Sequence, residues 1–286
     1  MRNILFTVAA AILFGFGGLC DAQEIFGVVN SPNTTDELIV FDASDPAGFT
    51  VIGETGIDID VIFTGLEFAG PGGGLFGYAA FGDPADSGLY EINISTGAAT
   101  PVGELGGAEL FDLSWDRVTN TLFGIDAIGD LYEIDIVTGS QNNLGPIAGL
   151  PTVVTTGLAH DEFGTLFVQD VATDAIYSGT QSGVSLLHSL PFNANFNQGI
   201  TIDNEGDGTG YYSAFNSGSS EAELYSFSGT PGDINLIGSF GTSSAFSFGD
   251  LAIRTSAVPE PSSAIGILFA LAGALMLRCR DSRFHA

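Results

Sequence analysis

The acidic segment at residues 203–208, DNEGDG, begins with the spacing of a calcium-binding loop. The oxygen-bearing side chains of Asp203, Glu205 and Asp207 alternate along it, and a glycine supplies the sharp turn that such loops need. The acidic residue expected at the twelfth position is replaced by Ala214. Calcium bound by the three acids is therefore one prediction, and a plain acidic turn between two strands is the simpler alternative.

Three other acids, Glu67, Asp112 and Asp250, occupy positions where related segments of the chain carry Ala, Thr or Gly. Two carboxyl groups about 5–10 Å apart, one of them with a raised pKa, are the arrangement that hydrolyses glycosidic bonds. If the fold brings them together in that way, they indicate a carbohydrate-active or lactone-hydrolysing enzyme. Carboxylates scattered or facing solvent would instead indicate a binding scaffold.

No other combination of residues indicates catalysis. The sequence has no paired nucleophile and base, no histidine cluster and no glycine-rich nucleotide motif. Trp115 and His160 occupy the same place in their segments as Phe68 and Ile202, so we expect both in the core, with His160 packed or hydrogen-bonded. His188 is predicted in an outer strand, where the sequence identifies no partner for it.

These residues belong to a repeat. Segments that open with GLEF, DLSW, GLAH, GITI and DLAI begin at residues 65, 112, 157, 199 and 250, with spacings of 47, 45, 42 and 51. Within a segment, short runs of alternating polar and apolar residues are separated by Gly, Asp and Asn, as at 112–115, 122–126, 131–136 and 143–147. A four-stranded unit that recurs at this period predicts an all-β propeller.

The ends of the repeat predict how the ring closes. Residues 25–30, 37–42 and 50–53 match the second, third and fourth strands of a unit that has no first strand. Residues 250–253 match a first strand that nothing follows. Pairing 250–253 with 25–30 completes one blade, so we predict a closed five-bladed propeller without exposed sheet edges.

Charge excludes one class of partner. Residues 23–255 hold two Arg and 31 Asp or Glu, a formal charge of −29, and the whole chain has no Lys. Such a surface repels phosphate backbones, so we do not expect nucleic acid to bind. Neither cysteine of the chain falls in this region, so no disulfide is expected there.

Both ends of the chain have the pattern of targeting segments. Residues 1–22 combine Arg2, an apolar run and a small residue at Ala22, which predicts an export signal cleaved after Ala22. Residues 258–286 begin with Val258-Pro259-Glu260-Pro261-Ser262, continue with thirteen apolar residues at 265–277 and end with three Arg. An apolar run of thirteen is short for a stable membrane helix, which needs roughly 17–25 residues.

The C-terminal segment resembles the PEP-CTERM sorting signal, and Pro259, Glu260 and Pro261 match its short motif. The resemblance implies an exosortase-type membrane protease as partner, brief anchoring through a C-terminal transmembrane helix, and release to the cell surface or matrix. A simple membrane anchor is the alternative. The propeller region, 23–255, is also similar to secreted bacterial propellers whose repeats carry LYxID followed by TG, which residues 131–135 with Thr138 and Gly139 match.

The function predicted from these features is a non-enzymatic scaffold at the cell surface or in the matrix. Its expected partners are extracellular polysaccharide or surface proteins, and calcium is the one candidate cofactor. The alternative is the propeller enzyme described above, with Glu67, Asp112 and Asp250 at the mouth of the channel.

Overall fold

The structure, a computed structural model, describes residues 23–30, 35–58, 60–80, 84–151, 154–241 and 247–254. The predicted signal peptide with Ala22 and the predicted sorting segment with Pro259, Glu260 and Pro261 lie outside these residues. Within them, no helix has the length and apolar character needed to cross a membrane.

The described residues form five antiparallel four-stranded sheets, and each sheet is one blade. Blade 1 contains β1 (Glu24–Asn30), β2 (Glu37–Asp42), β3 (Asp45–Glu54) and the last strand, β20 (Ser247–Ile253). Blade 2 contains β4 (Ile62–Ala69), β5 (Gly74–Ala80), β6 (Gly88–Ile92) and β7 (Ala99–Pro101), with a 3-10 turn at Pro84–Asp86. Blade 3 contains β8 (Leu110–Asp116), β9 (Thr121–Asp126), β10 (Asp130–Ile134) and β11 (Gln141–Pro146). Blade 4 contains β12 (Thr155–His160), β13 (Leu166–Asp170), β14 (Ala175–Thr180) and β15 (Gly183–Ser189). Blade 5 contains β16 (Ala194–Ile202), β17 (Gly210–Asn216), β18 (Glu221–Phe227) and β19 (Ile234–Gly241).

The prediction of five blades with a composite first blade is confirmed. β20 pairs antiparallel with β1, from Ile25 opposite Ile253 to Val28 opposite Asp250. The innermost strands follow one another around a central axis in the order β20, β4, β8, β12, β16, and β16 contacts β20 again. The ring is therefore closed by strand pairing between the two ends of the repeat.

The hydrophobic core consists of five clusters, one between each pair of neighbouring blades. Side chains alternate between the two faces of a strand, so a strand buried on both faces contributes to two clusters. In β1, for example, Ile25 packs toward blade 5, whereas Phe26 and Val28 pack toward blade 2. Trp115 packs in the cluster between blades 2 and 3, as predicted.

The TG turns of the repeat hold neighbouring blades together. Gly139 has φ +69°, and a Cβ there would lie 2.1 Å from the Val102 carbonyl oxygen at the end of blade 2. Gly97 has φ +81°, and a Cβ there would lie 2.3 Å from the Gly53 carbonyl oxygen of blade 1. Glycine is needed at these turns both for the left-handed backbone and for the close approach of the preceding blade.

Candidate functional site

The axial residues

Two of the five innermost strands carry an aspartate where the other three carry glycine. The equivalent positions, in order around the axis, are Asp250, Gly65, Asp112, Gly157 and Gly199. Two residues further along each strand, the next side chains toward the axis are Ala252, Glu67, Ser114, Ala159 and Thr201. The fold thus brings the three predicted acids, Glu67, Asp112 and Asp250, to the same axis; we call them the axial acids.

Asp250 is completely buried, and its carboxyl joins blade 1 to both neighbouring blades. Its Oδ2 accepts a hydrogen bond from the N–H of Leu66 in blade 2 at 2.6 Å, and its Oδ1 accepts one from Leu251 at 2.6 Å. The N–H of Ile200 in blade 5 also hydrogen-bonds to this carboxyl. Both oxygens are therefore occupied by the backbone.

Asp112 has the same environment in blade 3. It is completely buried. Its Oδ2 accepts a hydrogen bond from the N–H of Leu158 in blade 4, and its Oδ1 accepts one from the N–H of Leu113, each at 2.6 Å. The carboxyls of Asp112 and Asp250 also hydrogen-bond to each other. Burial comes first and the nearby Asp250 second in raising the pKa of Asp112, and burial likewise raises the pKa of Asp250 to about 7.

Glu67 is the least buried of the axial acids. Burial raises its pKa to about 8, and the charge of Asp250 adds to the rise. Hydrogen bonds from the N–H groups of Phe68 and Trp115, and the nearby Arg117 guanidinium, lower the pKa in part. By accepting a hydrogen bond from Trp115 N–H, Glu67 of blade 2 is joined to blade 3. Asp250 joins blade 1 to blade 2 in the same way, one level away along the axis.

His160 is a core histidine, as predicted. Its Nδ1 lies 2.9 Å from Ser114 Oγ of the preceding blade, and its ring packs against Phe123 at 5.2 Å between centroids. Burial lowers its pKa to about 4, so the imidazole is neutral near pH 7. Thr201 makes the corresponding link between blades 5 and 1, since its Oγ1 accepts a hydrogen bond from Ile253 N–H at 3.3 Å.

The two axial aspartates do not have the geometry of a glycoside-hydrolysing pair. The two aspartates touch each other, leaving no room for a sugar or for an attacking water between them. Each of their four oxygens already accepts a backbone N–H, and neither residue has exposed surface. The arrangement can share a proton and hold blades together, but it presents no free carboxyl oxygen to a substrate.

The lower face and the acidic turn

The turns between first and second strands and between third and fourth strands all lie at one end of the propeller, which we call the lower face. Arg117, in the turn after β8, donates to Glu205, in the turn after β16, at 2.7 Å. These turns belong to blades 3 and 5, which are not neighbours, so the ion pair reaches past blade 4. Together with the Arg117–Glu67 interaction, this places Arg117 at the lower end of the axis.

The acidic segment at 203–208 is a turn between β16 and β17. Asp203 Oδ1 accepts from the N–H groups of Glu205 at 3.2 Å and Gly206 at 2.9 Å. Asp207 accepts from Thr209, and Glu205 pairs with Arg117. No group of three or more potential metal ligands is assembled among the described residues. Calcium binding at Asp203, Glu205 and Asp207 stays a prediction, and the contacts found are those of a self-capped turn.

The described part of the lower face has exposed apolar side chains, a groove and a smaller cavity. Val118, Phe163 and Val137 have exposed fractions of 59%, 77% and 80%. A groove of about 480 Å³ between blades 2 and 3 is lined in part by Pro71 and Trp115. A smaller cavity of about 180 Å³ lies between blades 4 and 5, with Phe167, Ile202 and Phe227 among its apolar residues and four Asp or Glu also lining it.

Comparison with known proteins

No protein-family model matches the chain, and no curated protein matches it either. Among solved structures, one chain of a nidogen/laminin complex is similar, with a TM-score of 0.53 and 11% identity over 82% of this chain and 98% of that one. A Bacteroides thetaiotaomicron protein of unknown function has a TM-score of 0.49 and 12% identity, over 83% of this chain and 72% of that one. In all, 519 solved chains match, so the likeness supports the propeller fold without selecting a function.

Sequence reasoning missed several contacts that the fold creates. In the sequence, Arg117 is notable only for its charge, whereas in the fold it lies at the lower end of the axis, near Glu67 and Glu205. Sequence reasoning identified no partner for His188, which is buried between blades 4 and 5, where Nε2 lies 2.8 Å from the Ser228 carbonyl oxygen and Nδ1 accepts from Gly232 N–H. These partners are 40 and 44 residues away, about one repeat, which is the only signal that could have suggested them.

Proposed function

We propose that this chain is an exported, non-enzymatic binding scaffold whose lower face carries the binding surface. One observation supports this most strongly: both axial aspartates are buried and use both oxygens to bond the backbone of neighbouring blades. Two of the three carboxyls on which the enzyme hypothesis depends are thus used to hold neighbouring blades together. The solved chain with the similar fold comes from a complex named for two proteins, in accord with a role in binding.

The chemistry of the lower face suggests the kind of partner. Exposed Phe163 and Val118 lie among turns that also carry Asp161 and Glu162. An apolar surface with an acidic surround favours a neutral or cationic partner, such as a neutral polysaccharide or a basic surface protein, over an anionic polymer.

A binding panel of neutral, cationic and anionic polysaccharides and proteins tests the surface. We expect saturable binding to a neutral or cationic member, weakened at least about tenfold by Phe163→Asp, since a charge would enter an apolar contact. Ile128→Asp is the matched control, because Ile128 is also exposed, at 64%, in a turn at the opposite end of blade 3. Equal losses in both variants, or binding that neither changes, would place the partner elsewhere.

The alternative, a carbohydrate-active or lactone-hydrolysing enzyme, is favoured by one feature. Glu67 has surface that the aspartates lack and a pKa raised to about 8, as a general acid requires. Turnover of glycoside or lactone substrates that is lost in Glu67→Gln while the variant remains folded would establish the enzyme. We expect no turnover by the unaltered chain or by the Glu67→Gln variant.

The same proposal includes export and sorting. The chain is exported through residues 1–22, held briefly in the inner membrane by residues 265–277, and cleaved near Pro259 and Pro261 by an exosortase-type protease. Proline has no backbone N–H donor and disfavours helical conformation in the residue before it, so a Pro-Glu-Pro sequence suits binding in a protease cleft. Mass spectrometry of the protein from its native cells is the test: chains ending near residue 260 are expected, and intact chains ending at Ala286 in the membrane fraction would mean plain anchoring.

A further inference from the structure

The five innermost strands each direct one backbone N–H group to the same level of the axis. The groups belong to Leu66, Leu113, Leu158, Ile200 and Leu251, one from each blade, and we call them the axial amides. These N–H groups are bonded to carboxyl oxygens of Asp112 and Asp250. Five converging donors from five separate strands make a positively polarised ring, the kind of environment that binds an anion.

The chain leaves space at this level for those two side chains. A Cβ added at Gly199 would lie 2.3 Å from Asp250 Oδ1, and one at Gly65 would lie 2.9 Å from Leu113 N. Any side chain larger than hydrogen in these blades would displace a carboxyl or a neighbouring strand. Two aspartates and three glycines therefore fill the axis together.

The ring holds two carboxyl groups in contact at a fully buried site. Two unshielded negative charges at hydrogen-bond distance would repel strongly, so a hydrogen bond between them requires a proton on one. The surrounding strands supply little positive charge to offset this repulsion. From β4, Glu67 interacts with Asp250, and Arg117, in the turn after β8, interacts with Glu67. At the next position along the axis, β12, β16 and β20 carry the uncharged Ala159, Thr201 and Ala252, and His160 on β12 is neutral and contacts Ser114.

We propose that the axis of this propeller is an anion-binding site for a small carboxylate, which the chain occupies with the side chains of Asp112 and Asp250 sharing one proton. The carboxylate ligand of the site thus belongs to the chain itself. The two carboxyls tie all five innermost strands to a single point, so the ring is held at its centre as well as by the β20–β1 pairing.

Opening the site tests the proposal. Asp112→Gly installs the residue that three other blades have at this position and leaves the amides of Leu113 and Leu158 without an acceptor. Two buried N–H groups without partners should lower the midpoint of thermal unfolding by about 5–10 °C. Formate, a carboxylate without a side chain, should bind in the vacated space and restore at least half of that loss at about 0.5 M.

Two comparisons make the rescue specific. Formamide at the same concentration and ionic strength is neutral and should not restore the midpoint. Leu122→Ala, which removes a completely buried side chain from the cluster between blades 2 and 3, should be destabilised but insensitive to formate. Equal effects of formate on Asp112→Gly and Leu122→Ala, or no effect on Asp112→Gly, would overturn the proposal.

A measurement on the unaltered chain covers the case in which Asp112→Gly does not fold. The amide proton resonances of Leu66, Leu113, Leu158, Ile200 and Leu251 should shift together with pH, with one common midpoint well above that of an ordinary aspartate. Shifts of the five resonances at unrelated midpoints, or together near pH 4, would contradict a shared proton. Asp112→Asn keeps a side-chain oxygen and leaves no open space for formate. This variant should fold, its midpoint of thermal unfolding should fall less than that of Asp112→Gly, and formate should not change it.

Discussion

At the scale of single residues, the axial acids show how environment decides what a carboxyl does. Asp112 and Asp250 hydrogen-bond to the backbone and to each other, and Asp203 and Asp207 bond the backbone of an exposed turn. The first pair has raised pKa values because burial disfavours charge. Hydrogen bonds from Thr209 instead lower the pKa of Asp207, so it is charged at neutral pH.

Glu67 provides a residue-scale prediction. Its pKa is about 8 in the folded chain and about 4.5 in the unfolded one, so the stability from its bound proton is present below pH 4.5 and lost as pH rises to 8. Glu67→Gln has no proton to lose. We expect it to match the unaltered chain at pH 5 and to exceed its free energy of unfolding by about 1–2 kcal/mol at pH 9.

Chemical denaturation at the two pH values measures this difference. Glu133→Gln is the control, because Glu133 is exposed on β10 and should change little at either pH. A Glu67→Gln variant that is less stable than the unaltered chain at both pH values would mean that the charged form is the one the fold needs.

At the scale of elements, the TG turns link consecutive blades. Gly139→Ala should lower the free energy of unfolding by about 3 kcal/mol or more, because it combines a left-handed φ with a collision against the Val102 carbonyl. Gly145→Ala is the matched control: its φ is +89°, but nothing lies within 4 Å of the added Cβ, so only about 1 kcal/mol should be lost. Equal losses in urea denaturation would show that backbone strain alone explains the motif.

The strand that closes the ring provides a second test at this scale. Leu251 on β20 is completely buried between blades 5 and 1, so Leu251→Ala should cost about 3 kcal/mol. Leu236 on β19 is 57% exposed, and Leu236→Ala should change stability by less than about 0.5 kcal/mol. If the Leu251 variant were as stable as the Leu236 variant, β20 would not be part of the core.

Much of this architecture could be predicted from the sequence. Strand alternation and the turn residues are local signals, and their recurrence identified five blades and the pairing of 250–253 with 25–30, now seen as β20 on β1. Strand ends were less accurate: the predicted strand at 50–53 is β3, Asp45–Glu54, and that at 143–147 is β11, Gln141–Pro146. Bulges within these strands, as between Leu131 and Tyr132 in the β10–β11 pair, interrupt the alternation on which such boundaries depend.

The site was harder to predict, because its contacts join residues on different blades. The departure of Asp112 and Asp250 from glycine marked them as special, but a repeat alignment does not show that their side chains meet. The N–H groups that they accept, at Leu66 and Leu158, lie 184 and 46 residues away. Packing of consecutive blades brings Leu158 to Asp112, and closure of the ring brings Leu66 to Asp250.

At the scale of the whole molecule, the propeller combines a highly acidic surface with acids at its centre. The formal charge of the chain is −28, which favours solubility and works against compactness through self-repulsion. Salt screens the repulsion among exposed charges, but it screens the interactions of the buried axial aspartates and the partly buried Glu67 much less. Salt therefore separates the two effects in any measurement of stability against pH.

The free energy of unfolding between pH 6.5 and pH 9, at low and high salt, tests most directly whether the axial acids hold the ring together. Their folded-state pKa values lie above the unfolded ones, so stability should fall as pH rises through about 7 for Asp250 and about 8 for Glu67. His160 titrates near pH 4 when folded and near 6.5 when unfolded, so it adds little slope in this range. We expect a loss of about 2–4 kcal/mol that persists at high salt. A profile that is flat or rising from pH 6.5 to 9, or a fall that high salt abolishes, would contradict the account.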